Sequence, residues 1–170
     1  MNRLESVRHL VDRILHSGSD PEACRSGFVH LYGVSAAATL LAHLRGLDAE
    51  LAAVAGMLHD VAAYETGEEE DHAARSAERA RELLTDLGGF AAEEIGAIVR
   101  AIACHSEKGS IDTAFAELLK DADVLQRYLY DPAVPAHPRH RVRRDRLVAG
   151  LRLRIRPIDG VAPGSPAPGP

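Results

Sequence analysis

Nine histidines stand in this chain of 170 residues, and one of them, His59, is followed directly by an aspartate, Asp60. Chance alone gives roughly 0.6 His-Asp pairs at this composition, so the dipeptide by itself says little. Its setting says more. The pair interrupts LAAVAGMLHDVAAY, a run otherwise made of Ala, Val, Leu, Met, Gly and a final Tyr. A carboxylate in such a helix incurs a large desolvation penalty unless a cation or a paired charge offsets it.

Other residues that could meet that cation lie on separate helical stretches: His30 in FVHLYGV, His105 in IACHS and Asp123 in LLKDADVLQRY. Imidazole and carboxylate together suit Mn, Fe, Co, Ni or Zn better than Ca or Mg. Successive helical residues diverge by about 100°, so His59 and Asp60 can share one ion only if it lies over the edge between them. Asp123 falls near the apolar face formed with Leu118, Leu119, Val124 and Leu125, whereas Asp121 lies further round. Asp123 is therefore the expected ligand, and Asp121 a supporting or solvent-facing residue.

The elements that must carry these residues read as helices almost throughout. Leu4, Val7, Leu10, Val11, Ile14 and Leu15 form one stripe of a first helix that ends near Gly18. A second helix is expected from about Gly27 to Leu44, and a third from the N-cap Asp48 to about Tyr64. A fourth covers about Asp71 to Leu87, a fifth about Ala91 to His105, and a sixth starts near Ser110 or Asp112 and ends before Pro132. Alternation of the strand type is confined to Leu151 to Ile155, too short and Arg-rich to found a sheet. The fold class is all-α, a compact bundle of about six to seven helices. Residues 1–131 form the domain, 132–156 a basic extension with a short helix around Arg139 to Leu151, and 157–170 (PIDGVAPGSPAPGP) a disordered tail.

Taken in order, His30, His59-Asp60 and Asp123, each on its own helix, resemble the HD-domain metal-dependent phosphohydrolase superfamily. The likeness covers about residues 25–131. The phrase LKDADVLQRYLYDP is similar to the family's Ala-Asp-x-Leu element, and HDVAAYETGEEEDHAARSA to one subgroup in which a further His opens the next helix. The resemblance implies an HD-domain helical bundle in which His30, His59, Asp60 and Asp123 hold a divalent transition metal. It implies hydrolysis of a nucleotide or other small phosphate ester by metal-activated water. Subgroups with His at both intermediate positions are dinuclear, which would make His72 and His105 ligands of a second ion and Asp60 the bridge. Asp60, His72, His105 and Lys108 are then the catalytic set, with Lys108, and Arg75 or Arg127 beside it, binding phosphate.

The chain departs from some subgroups. No Lys follows Asp60 by three residues as in the cyclic dinucleotide phosphodiesterases, and no Glu-Asp follows the motif as in the alarmone hydrolases. Ala63 stands where some nucleotidases carry Glu. Plainer readings remain for individual residues: His72 as a solvated helix start beside the Glu68 to Asp71 run, and His105 and Lys108 as cations at a helix C-terminus. His9, His16, His43, His137 and His140 read as surface residues. Two other functions share the pattern, a dinuclear iron oxygenase and a nucleotide-binding regulatory module without turnover.

Composition sets the outer bounds. With 46% hydrophobic and 26% charged residues, the chain can bury a core without staples, and Cys24 and Cys104 lack metal-ligand spacing and read as small buried hydrophobes. No stretch reaches roughly 18 uncharged apolar residues, and Glu5 and Asp12 stand where a signal peptide needs an apolar run. A cytoplasmic location and no membrane partner are expected. Residues 139–170 hold eight Arg against two Asp, while the remainder holds twelve basic residues against twenty-three acidic ones. That basic end lacks interleaved aromatics, so nucleic acid is not the expected partner; the resemblance implies a small phosphate substrate instead.

Overall fold

The computed structural model describes residues 2–131 and 137–154. The expected tail from 157 onward lies outside the described residues. Among them there is no strand, and eight helical segments follow in order: α1 (Arg3–Ser17), α2 (Pro21–Arg45), α3 (Ala49–Leu58), α4 (Val61–Thr66), α5 (His72–Leu87), α6 (Ala92–Ala103), α7 (Ala114–Tyr130) and α8 (Pro138–Arg154). The all-α reading holds.

Side-chain caps explain several starts. Asn2, Asp20, Asp48 and Thr113 each accept a hydrogen bond from a first-turn backbone N–H. Asp20 with Pro21 at the first helical position moves the start of α2 six residues ahead of the expected Gly27. The sixth expected helix, now α7, starts later than Ser110 or Asp112. Both residues are instead drawn onto the Lys120 ammonium, which donates to the Ser110 carbonyl and hydroxyl and to the Asp112 carboxylate.

α2 lies at the centre and packs most extensively against α3 and α7, while α5 pairs with α6. Its length and hydropathy would suffice to cross a membrane, but half of its most apolar window is buried inside this bundle. Contact between α2 and α3 is close because residue 56 is glycine: a Cβ there would stand 2.7 Å from the backbone of Ser35. The core comprises Leu31, Val34 and Leu41 of α2, Val54, Met57 and Leu58 of α3, Ile98 and Ile102 of α6, and Leu118 and Leu119 of α7.

One expectation is corrected where it matters most. The third helix does not run unbroken from Asp48 to Tyr64: it stops at Leu58, turns through His59 and Asp60, and restarts at Val61. Asp60 sits at φ −118°, ψ 16°, off the helical values. Local polar groups take over the helix's own bonding partners. The Gly56 carbonyl, which a continuing helix would offer to residue 60, accepts from the His59 ring, and the Ala62 N–H donates to Ser76 Oγ at 3.2 Å. The break replaces the helical 100° step, so the two side chains of the pair can face one point.

Candidate metal centre

Five elements deliver the polar cluster inside this apolar bundle. His30 comes from the middle of α2, His59 and Asp60 from the α3–α4 turn, His72 from the start of α5, His105 from the turn after α6, and Asp123 from α7. His59 is fully buried, and His30, Asp60, His105 and Asp123 are each less than a tenth exposed. His72 follows Asp71, a non-glycine residue in the left-handed region with φ 48°, and is about a third exposed. Aspartate tolerates that conformation better than most side chains, and the bend turns His72 inward.

The Asp60 carboxylate is the hub. Its Oδ2 lies 3.2 Å from His59 Nε2 and 3.3 Å from His30 Nε2; its Oδ1 lies 3.1 Å from His105 Nε2 and 3.7 Å from His72 Nε2. All four rings have already committed the other nitrogen. Nδ1 of His30 donates to Gln126 Oε1 at 2.9 Å, that of His59 to Gly56 O at 2.9 Å, that of His72 to Glu69 O at 3.0 Å and that of His105 to Ile102 O at 2.8 Å. With Nδ1 engaged in this way, each ring presents Nε2 toward the carboxylate. His30 Nε2 and His59 Nε2 also approach each other to 3.1 Å.

Five polar side chains packed this closely in an apolar interior suit a shared cation. Asp60 Oδ1 is a buried oxygen without a hydrogen-bond partner, although His105 Nε2 stands 3.1 Å away. The donors divide into two groups with ligand atoms within 4.8 Å of one another, His30 with His59 and Asp60, and Asp60 with His72 and His105. Asp60 belongs to both. Mixed imidazole and carboxylate donors, with the distal imidazole nitrogens anchored, fit one or two divalent transition metals.

Electrostatics hold the set ready. Burial would raise the Asp60 pKa, but His59, His105 and His30 outweigh it and hold the carboxyl well below the usual range. Asp123 is likewise kept ionised, burial being overcome by Lys108, His59 and Arg127. Burial pushes the His105 pKa down and favours the neutral ring that a metal requires.

Several expected residues sit elsewhere than a phosphate site would need. The Lys108 ammonium, 4% exposed, donates to Asp123 Oδ2 at 2.6 Å and to the His105 carbonyl at 2.7 Å. It is a buried counter-ion, not a group facing substrate. Arg75 is tied to Thr66 and Glu68. Asp121 pairs with Arg45 and Arg143, away from the cluster. Asp123 Oδ1 stands 3.6 Å from His30 Nε2 and accepts from Arg127 Nε at 3.1 Å.

His140, expected at the surface, is half-buried within electrostatic reach of Lys108, Asp123 and Arg127, and Cys24 and Cys104 are half-buried and unbridged. His9, His16, His43 and His137 are exposed. Gln126 escaped sequence reasoning, since an amide three residues past Asp123 carries no signal alone; Gly33, where a Cβ would lie 2.7 Å from Gln126 Cγ, is its structural counterpart.

A cavity of about 360 Å³ opens at His30, lined also by Arg25, Ser26, Tyr64, Gln126, Arg127 and Tyr130. It provides access to the cluster from solvent, with two guanidinium groups along the way.

Comparison with known proteins agrees with this geometry. Residues 27–128 match the family model described as HD domain, and that span contains every residue of the cluster. The fold is similar to that in the crystal structure of a predicted HD superfamily hydrolase from an uncultured Thermotogales bacterium, with a TM-score of 0.55, 22% identity, and coverage of 85% of this chain and 87% of the other. No curated protein matches the sequence.

Proposed function

This chain belongs to the HD domain family, and we propose that it is a dinuclear metal-dependent hydrolase of small phosphate esters, with nucleotides the first class to try. The observation that carries the reading is the convergence of four anchored imidazoles on the two oxygens of Asp60. His30, His59 and Asp60, with Asp123 beside them, would hold one ion, and Asp60, His72 and His105 would hold a second. Divalent cations bound there lower the pKa of water toward neutrality and neutralise phosphoryl oxygens, the two requirements of phosphate ester hydrolysis.

The protein's own groups bind and orient the substrate. Arg127, with Nε committed to Asp123, places its guanidinium along the cavity beside His30, where it suits a phosphate. Arg25, Ser26, Tyr64 and Tyr130 line the outer cavity and suit the hydroxyls of the esterified group. Lys108 holds Asp123 and leaves phosphate to the arginines. A cytoplasmic protein handling a soluble metabolite accords with this chemistry.

The test is phosphate release from a panel of nucleoside monophosphates and sugar phosphates by protein loaded in turn with Mn, Fe, Co, Ni and Zn. Turnover abolished by a chelator and restored by metal is expected. Oxygen consumption by the iron-loaded protein, with no phosphate released from any ester, would assign it to the oxygenases.

A further inference from the structure

The family match ends at residue 128, yet the metal centre's support continues beyond it. Lys108 is buried between two neighbours, and its ammonium ties the His105 carbonyl to Asp123 Oδ2. With Oδ2 held, Asp123 Oδ1 is the oxygen turned toward His30. Lys108 sits in the turn region between α6 and α7, whose backbone is closed by short-range bonds such as Lys108 N–H to Ser106 O and Ser110 N–H to Glu107 O. A group from outside the turn also holds that backbone.

The group that does so comes from α8. Arg143 Nη2 donates to the Lys108 carbonyl at 3.1 Å, while Nη1 pairs with Glu117 at 2.9 Å and Asp121 at 2.7 Å on α7. The Arg143 side chain is only 12% exposed, so these bonds form in a low-dielectric setting where they are strong. Leu147, one turn further along, is buried in the main core and seats the helix. An unbroken chain of contacts thus runs from α8 through Lys108 to Asp123.

We propose that Arg143 and Lys108 are positioning residues of the metal centre: α8 fixes the Lys108 backbone through Arg143, and Lys108 in turn aims Asp123 Oδ1 at the ion beside His30. This rests on the metal-centre reading above. The functional unit then extends past the family match to at least Leu147, and α8 is part of the site's framework.

The planar guanidinium makes the idea testable, since it bonds two carboxylates and a carbonyl at once where an ammonium is a single point charge. Full-length wild type, Arg143→Lys and Arg143→Met are compared by metal titration with Mn and by thermal unfolding in chelator. Arg143→Lys is expected to melt within a few degrees of wild type yet bind the ion of the Asp123 side about tenfold more weakly. Arg143→Met should show the same weakening with a lower Tm, because Glu117 and Asp121 lose their partner. Arg146→Lys, on an exposed neighbour, should change neither. Wild-type metal affinity in Arg143→Lys would overturn this inference alone and leave Arg143 an ion-pair strut. A wild type that binds no metal would overturn it together with the functional reading.

Discussion

His105 Nε2 and Asp60 Oδ1 meet at 3.1 Å, while His105 Nδ1 lies 2.8 Å from the Ile102 carbonyl. Asp60 is held ionised among these rings, and a carboxyl whose folded pKa lies below its unfolded one stabilises the fold at neutral pH. Asp60→Asn should therefore lower the Tm of the metal-free protein. The same variant should lose metal-dependent stabilisation. Thermal unfolding with and without Mn checks both; a raised Tm without metal would show that the imidazoles do not stabilise the Asp60 charge.

The number of ions depends on His72, whose Nε2 is 3.7 Å from Asp60 Oδ1 and whose side chain is 31% exposed. His72→Ala should reduce two bound ions per chain toward one and cut turnover strongly, since one metal cannot clamp both the attacking and the leaving oxygen. His105→Ala should do the same. An unchanged ratio in His72→Ala would make the centre mononuclear.

His30 differs from the other three histidines in resting on a side chain, Gln126, in place of a backbone carbonyl. The Gln126 amide nitrogen faces the Val29 carbonyl at 3.4 Å, which fixes which end of the amide meets the ring. Gln126→Leu should weaken metal binding by about 10–100-fold, and Gln126→Glu should restore it. Nitrogen chemical shifts of the His30 ring in metal-free protein would report the tautomer directly. Equal affinity in the Leu variant would remove Gln126 from the centre.

Lys120 is fully buried and holds Asp112 and Glu117. Hydrogen bonding to Lys120 is the main cause that depresses the Asp112 pKa; for Glu117, burial works upward but Arg143 and Lys120 outweigh it. Folded pKa values below the unfolded ones add stability at neutral pH, and that stability is lost as pH falls through the folded values. Lys120→Met should lower the Tm at pH 7 by about 5 °C and flatten its decline below about pH 4. A parallel decline in both proteins would mean the acid sensitivity arises elsewhere.

The sequence conveyed the helical class and the cluster because both are periodic or compositional: apolar stripes fix helices, and a His-Asp pair in an apolar run is chemically conspicuous. It concealed what depends on tertiary partners. The break at His59-Asp60 arises from competition by the His59 ring and by Ser76, sixteen residues past Asp60, for backbone groups of one helix. Lys108 read as a phosphate ligand because its spacing from His105 was visible while its pairing with Asp123 on α7 was not. Arg143 lay in a segment read as a basic extension with a short helix, its pairing with Glu117, Asp121 and the Lys108 carbonyl not being visible in the sequence.

Asp60 is proposed as the carboxylate that both ions need. Metal-to-protein ratio after reconstitution with excess Mn or Fe and desalting, measured for wild type and Asp60→Ala, tests this most directly. Two ions per chain are expected in the wild type and none in the variant, with hydrolysis lost as well. Full metal content in purified, folded Asp60→Ala would contradict that role.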